Sequence, residues 1–217
     1  MGHPPIIIYM HVCQKGPWRI PFDMMMNAIK SSGLYNEIIE IRIGVGNDDG
    51  HIVDDVRFHD PKIKTVAHGP SGLYERITLS HMRNYSETDG CQYLYCHTKG
   101  LKHLDGGDIA MKDCVTDWIN LLIHWNINHW RTATDHLMRH DTYGCEYTSN
   151  PTPHYSGNFW WANSHFIRTL PKEIGGDYCD PEFWVLRRDN VLMSNIFSSG
   201  LDGGAHYFNR FIKGIHY

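Results

Sequence analysis

Ile6 to Val12 is an unbroken apolar run, the pattern of a strand buried on both faces rather than of a half-exposed one. Such a strand needs layers above and below it. The next segments of the chain supply those layers. Phe22 to Ile29 has helical character and ends near Ser31-Ser32-Gly33. Ile38, Ile39, Ile41, Ile43 and Val45 read as a second strand, and Asn47-Asp48-Asp49-Gly50 as a turn. Ile63 to Ala67 is a third strand, which His68-Gly69-Pro70 is expected to stop. Leu73 to Tyr85 is read as a helix, capped by Ser71, with Leu73, Ile77 and Leu79 facing inward. Tyr93 to Cys96 is the fourth strand. This alternation predicts an α/β fold with a central, mostly parallel mixed sheet flanked by helices.

The second half is more helical. Met111 to Leu137 reads as one long helical region in which Val115, Trp118, Ile119, Leu122 and Trp125 recur at core-facing spacing. Tyr143 to Tyr147 and Phe159 to Ala162 are later strands, and Ser164 to Leu170 a short helix ended by Pro171. With no repeat, low-complexity tract or linker, residues 1–217 are expected to form a single domain.

Composition narrows the function classes. A net charge of −4 provides no basic field for holding nucleic acid nonspecifically. No apolar stretch approaches the ~18 residues of a membrane helix. The cysteines are Cys13, Cys91, Cys96, Cys114, Cys145 and Cys179; they form no Cys-x-x-Cys pair, and most lie in apolar runs. They are read as free thiols of a reducing compartment, so a cytoplasmic location is expected.

Two segments carry the candidate chemistry. At Tyr93-Leu94-Tyr95-Cys96-His97-Thr98-Lys99-Gly100 an apolar strand runs into a polar tetrad. Ligands of open α/β sheets bind at the carboxyl ends of strands, and there Lys99 offers charge to a phosphate while Gly100 allows close backbone approach. His154-Tyr155-Ser156-Gly157-Asn158-Phe159-Trp160-Trp161-Ala162 gathers hydroxyl, amide and aromatic groups around a glycine. Aromatic rings suit the C–H faces of sugars, and Asn158 can donate and accept at their edges. His154, Ser156, Gly157, Asn158 and Trp160 are therefore candidates for a sugar site, with Asn158 and Trp160 on one strand face.

Other segments admit two readings each. The loop from His11, Val12 and Cys13 through Lys15-Gly16-Pro17 holds the position of a nucleotide-binding loop and equally that of an ordinary surface loop; it carries no dinucleotide or P-loop signature. Arg76 is either a diphosphate or ribose contact or a solvated helix charge. Glu182, in Asp180-Pro181-Glu182-Phe183-Trp184, is either a base that orients an acceptor hydroxyl or a helix-start carboxylate.

At these motifs the chain resembles glycosyltransferases of the GT-A type, the nucleotide-diphospho-sugar transferase fold. It is most similar to a group from large algal viruses and some bacteria marked by Tyr-Leu-x-His-x-Lys-Gly, Gly-Asn-Phe-Trp-Trp-Ala and Glu-x-Trp. Here these are Tyr93 to Gly100, Gly157 to Ala162 and Glu182-Phe183-Trp184, and the resemblance runs from the first strand to about Trp184. It implies a UDP-sugar-dependent hexosyltransferase, rhamnose included, building viral capsid glycans in the host cytoplasm; one such relative has this domain at the start of a longer polypeptide. It implies His11, Val12, Cys13, Arg76, His97, Thr98, Lys99 and His206 at the donor, and Lys99, Asn158 and Glu182 in catalysis. GT-A enzymes usually end this strand with Asp-x-Asp holding a divalent metal. Here His97-x-Lys99 stands in its place, neither a hard-cation ligand, so a lysine meets the diphosphate directly and manganese, with His206 as the C-terminal ligand of some relatives, is allowed rather than required.

Two other functions share parts of this pattern. A nucleotidyltransferase that makes nucleotide sugars shares the α/β layout, with only Lys15-Gly16 for its glycine-rich signature. A noncatalytic carbohydrate-binding module would use the aromatic segment but has no need of Lys99.

Overall fold

The structure, a computed structural model, describes residues 4–49, 52–88, 90–201 and 203–217. In chain order the elements begin β1 (Ile6–Cys13), α1 (Arg19–Ser31), α2 (Leu34–Glu37), β2 (Ile38–Asn47), β3 (Ile63–Pro70), α3 (Arg76–Tyr85) and β4 (Gln92–His97). They continue α4 (Leu101–Leu104), α5 (Ile109–Ile123), α6 (Trp130–His136), β5 (Thr142–Gly144), β6 (Tyr147–Thr148) and β7 (His154–Tyr155). Last come β8 (Trp160–Asn163), α7 (Ser164–Ile167), α8 (Asp180–Phe183) and β9 (Met193–Asn195).

A seven-stranded sheet has the order β3-β2-β1-β4-β8-β5-β9, and β6 and β7 pair separately. β1 pairs in parallel with β2 on one side and β4 on the other, and β2 with β3. β8 is antiparallel to both β4 and β5, while β9 is parallel to β5. The expected α/β architecture, a mostly parallel mixed sheet with helices on its faces, is therefore present.

Side-chain alternation divides the core in two. Ile6, Ile8, Met10 and Val12 of β1 join Leu94 and Cys96 of β4 in a cluster closed by α1 and α5. Ile7 and Tyr9 join Tyr93 and Tyr95 in a second cluster with α3 and α7. The next residues on this second face are His11 and His97, paired across the two strands. They carry the face out of the core and into polar surroundings.

Three expectations about boundaries change. β3 runs on through His68-Gly69-Pro70, with Gly69 paired to Gly46 and Pro70 to Asn47. It is an edge strand, where a proline's missing N–H costs no second ladder. The segment after it is broken: Ser71–Leu73 is a 3-10 turn, so Ser71 caps nothing and Leu73 is 43% exposed. α3 starts at Arg76 and buries Thr78, Leu79, Met82 and Arg83. The region read as one helix is α5, a π-helical turn His124–Asn128 and α6. Its apolar spacing survives, with Val115, Trp118, Ile119 and Leu122 buried. Asp108 caps α5, its Oδ1 accepting from Met111 N–H at 3.1 Å. Of the expected Asn47 to Gly50 turn, Gly50 lies outside the described residues.

α3 crosses β2 at Gly44, where a Cβ would collide with the Thr78 side chain. Thr78 Oγ1 is the hydrogen-bond partner of His11 Nδ1 at 2.9 Å, so this close approach also sets the His11 ring. Gly44→Ala is expected to cost ~1–3 kcal/mol through overpacking, read as a lower midpoint in urea at unchanged slope. An unaltered midpoint would mean that α3 can move off the sheet freely.

Candidate functional site

The sheet order reverses between β1 and β4: β2 and β3 lie to one side of β1, β4 and the later strands to the other. Crevices outside the carboxyl ends of strands at such a switch point are where open α/β sheets hold ligands. A cavity of about 560 Å³ opens there. β1 contributes His11 and Cys13, the segment after β4 contributes Thr98, Lys99 and Gly100, and His97 ends β4 itself. His154, Ser156 and Asn158 face them from around β7, and Glu182 from α8.

The strand ends are locked together by backbone and hydroxyl groups. Cys13 N–H donates to Thr98 Oγ1 at 2.9 Å, and Thr98 N–H donates to the His11 carbonyl at 2.9 Å. Gly100, with φ of 72°, turns the chain away immediately after Lys99, and a Cβ there would collide with Val115. Lys99 is directed inward by this turn. It is only 9% exposed, and its Nζ lies 3.9 Å from the centroid of the Trp118 ring. Among the described residues it forms no ion pair or hydrogen bond, so a cation–π contact is its one close partner.

On the opposite wall, Gly157 and Asn158 both have positive φ, 96° and 55°. Gly157 N–H donates to Glu182 Oε1 at 2.7 Å, which ties the turn to α8. Glu182 Oε2 makes no hydrogen bond among the described residues. Asn158 Oδ1 accepts from the Trp160 indole at 2.8 Å, while Asn158 Nδ2 is buried and has no partner among the described residues. An amide donor left unpaired at a cavity wall normally has a ligand or water to serve.

The two histidines are held neutral. Burial, opposed by Glu75 and reinforced by His97, lowers the His11 pKa to about 4. Burial and the nearby Lys99 lower that of His97 to about 3. His97 Nε2 lies 3.1 Å from the Gly157 carbonyl and Nδ1 lies 3.4 Å from Glu75 Oε1. Both neighbours are acceptors, so a neutral ring can donate to only one; the shorter contact makes Gly157 that one. Burial also raises the Cys13 thiol pKa, which keeps it protonated.

Of the residues singled out in sequence, His11, Cys13, His97, Thr98, Lys99, His154, Ser156, Asn158 and Glu182 converge on the cavity. Gly157 is at its edge through its backbone contacts to His97 and Glu182. Four are elsewhere. Val12 is fully buried in the core, because the residue between His11 and Cys13 must point to the other sheet face. Trp160 is fully buried against Tyr95, rings 4.9 Å apart, and reaches the site only through its bond to Asn158, which lies in the turn before β8 rather than on the strand.

Arg76 does not line the cavity: its guanidinium donates to the carbonyls of Gly175, Leu73 and Asp177 and straps two loops together. His206 is 0% exposed, with Nε2 2.8 Å from Glu146 Oε2 and its ring stacked on Trp118. It buttresses the floor beneath Lys99 instead of meeting a ligand. Among the described residues no group of three His, Cys, Asp or Glu side chains could hold a metal ion.

Sequence reasoning missed Tyr74, Glu75, Tyr178 and Tyr207, which also line the cavity. Tyr74 and Glu75 follow the His68-Gly69-Pro70 segment, and an aromatic in such a loop gives no periodic signal. Tyr74 is also strained, with φ 51° and ψ −142°, a conformation at home in glycine that costs an ordinary residue ~1–3 kcal/mol.

The chain belongs to a family described as a domain of unknown function (DUF8361), which matches residues 23–173. The match takes in His97 to Gly100 and His154 to Trp160 and leaves β1 and Glu182 outside it. No curated protein and no solved structure matches the chain. No helix among the described residues is long and apolar enough to cross a membrane.

The neutral histidines predict an acid-sensitive fold. Their pKa values are lower in the folded chain than the ~6.5 of an unfolded histidine, so the unfolded chain binds more protons as pH falls below that value. Stability is complete above it and is lost as pH drops toward about 4 and about 3. The thermal midpoint should therefore already decline between pH ~7 and ~5, before most carboxylates titrate. His97→Gln, which keeps a donor for the Gly157 carbonyl, should make that decline shallower. A midpoint constant over this range would contradict the neutral, buried assignment.

Proposed function

We propose that the protein is a glycosyltransferase of the GT-A type, a hexosyltransferase that moves a sugar from a UDP-sugar to a glycan acceptor. The observation that carries this reading is Lys99. The residue is only 9% exposed and, among the described residues, its ammonium meets an indole and no counter-ion, so the cavity holds a partly desolvated cation that an anion would pair. Its location at the switch-point crevice favours a diphosphate as that anion. Of the groups that line the cavity with it, His11, His97 and Asn158 carry no negative charge, whereas Glu75 and Glu182 are acidic.

In such a transfer the bond from the anomeric carbon to the diphosphate oxygen breaks, and its electron pair leaves with UDP. A fixed ammonium at that oxygen stabilises the charge as it develops, without the reorganisation that water would need. The acceptor oxygen forms the new bond to the anomeric carbon and gives its proton to the Glu182 carboxylate, which lines the same cavity. Asn158 Nδ2, the unpaired donor, suits a sugar hydroxyl. Glu182, fixed through Oε1 by Gly157, has Oε2 left to accept from a donor-sugar or acceptor hydroxyl. Thr98 and Gly100 hold the phosphate-side backbone in shape.

The test compares UDP with UMP by calorimetry. The wild type should prefer UDP. Lys99→Ala should weaken UDP by ~10-fold or more, the value of about one charge-assisted contact, and leave UMP nearly unchanged, so that the preference disappears. Equal losses for both nucleotides, with the circular dichroism spectrum intact, would remove Lys99 from the diphosphate. Sugar release from UDP-sugars should fall further still in Asn158→Ala and Glu182→Gln while UDP affinity holds; normal turnover in either would strike that residue from the chemistry.

A further inference from the structure

The cavity's inner wall is polar and buried, but its outer rim carries two exposed aromatic rings. Tyr74 is 39% exposed and Tyr178 69% exposed, and both line the cavity. The rings meet edge to face, centroids 4.9 Å apart and planes at 89°. They come from segments far apart in sequence, the break before α3 and the loop before α8. On a loosely held surface such a pair would carry little meaning; this one is built on a braced base.

Arg76 supplies much of that base. Its guanidinium donates to the carbonyl of Leu73, the residue before Tyr74, and to those of Gly175 and Asp177, the latter immediately before Tyr178. Asp180 completes it: Oδ2 accepts from Asp177 N–H at 2.7 Å, and Oδ1 accepts from Arg187 at 2.5 Å. Gly175, at φ 95°, has no room for a Cβ beside the Asp180 carboxylate. The arginine and the aspartate thus use their hydrogen bonds to immobilise loop backbone whose outward product is Tyr178. At the other side Tyr74 is kept in a glycine-like backbone conformation, where a glycine would relax the chain and lose the ring. Strain retained at a ligand cavity, together with a fixed, solvent-facing aromatic, is a feature of recognition rather than of packing.

We propose that Tyr74 and Tyr178 form the acceptor subsite, a platform on which a carbohydrate ring of the acceptor lays its C–H face against Tyr178 with Tyr74 buttressing that ring edge-on. The inference rests on the glycosyltransferase reading for the word acceptor; the sugar platform itself follows from the rim. A carbohydrate fits because one side of the ligand would meet aromatic carbon while its hydroxyl edges would meet the polar wall, with Glu182 lining the same cavity. Tyr178 is fixed four residues before Glu182, so an acceptor ring on the platform has the unbonded Glu182 Oε2 lining the same cavity.

The experiment uses saturation-transfer NMR with a panel of methyl glycosides (glucoside, galactoside, mannoside and rhamnoside), alongside UDP calorimetry. Wild type and Tyr178→Phe should saturate the ring C–H protons of at least one glycoside. Tyr178→Ala should lose that signal by ~10-fold in apparent affinity and bind UDP as the wild type does. Tyr74→Gly should weaken the glycoside signal without lowering the thermal midpoint, which a mere packing residue could not do. Absence of any glycoside signal in the wild type, or its persistence in Tyr178→Ala, overturns the proposal. A loss of UDP affinity in Tyr178→Ala also overturns it, in favour of a ring that stacks on the base. Failure of the wild type to bind UDP would count against the glycosyltransferase reading alone, since Tyr178-dependent glycoside binding would still establish the platform.

Discussion

The parallel pairing of β1 with β4 is the constraint on which the site depends. In its register His11 lies opposite His97, and the bonds between Cys13, His11 and Thr98 carry the pairing one step beyond the last strand residue. β2 and β3 are added on the far side of β1, so the crevice between β1 and β4 cannot be filled by a helix crossing over the strand ends there. Every polar group of the cavity floor is located relative to this seam. A slip of β1 by one residue would turn His11 into the core and bring Val12 to the cavity.

The same seam explains how charge is arranged. A buried polar group survives when it is paired or kept neutral, and both solutions are used around Lys99. The histidines give up their charge. Glu182 commits one oxygen to a backbone N–H. His206, Glu146 and Ser199 form a closed cluster, with Ser199 Oγ donating to Glu146 Oε2 at 2.6 Å, and the His206 ring supports Trp118 from within it. Trp118 in turn carries Lys99. The C-terminal segment therefore serves the site at second hand, through the indole that lies under the ammonium. That leaves Lys99 as the buried cation of the cavity wall, with Lys102 an exposed second one.

The outer and inner halves of the cavity are made in different ways. The inner half comes from strand ends whose positions the sheet dictates. The rim comes from loops, and loops have no ladder to hold them; Arg76 and Asp180 replace the ladder with side-chain bonds to carbonyls and amides. An arginine can do this because its planar fork reaches several acceptors at once.

What the sequence determined by itself came from local signatures, although the His68-Gly69-Pro70 stop and the Ser71 cap, equally local, did not hold. The unbroken apolar runs fixed the buried parallel strands, the helical spacing of Val115, Trp118, Ile119 and Leu122 fixed their burial, and the strand-to-polar switch at His97-Thr98-Lys99-Gly100 marked the end of β4 as a site. His154, Ser156, Asn158 and Glu182 were visible as polar groups among aromatics, and the structure brings them to the same cavity. Tertiary structure decided which of two chemically similar partners faces the ligand. Arg76 and Lys99 are both cations near strand ends, yet one is consumed by loop carbonyls and the other, among the described residues, meets an indole. Trp160 and Tyr178 are both aromatics, yet the first packs on Tyr95 and the second stands in solvent. His206 looked like a ligand and is a buttress. The physical reason is common to all three: a side chain's role is set by which hydrogen-bonding and packing partners reach it first, and those partners lie far away in the chain, where no local pattern records them.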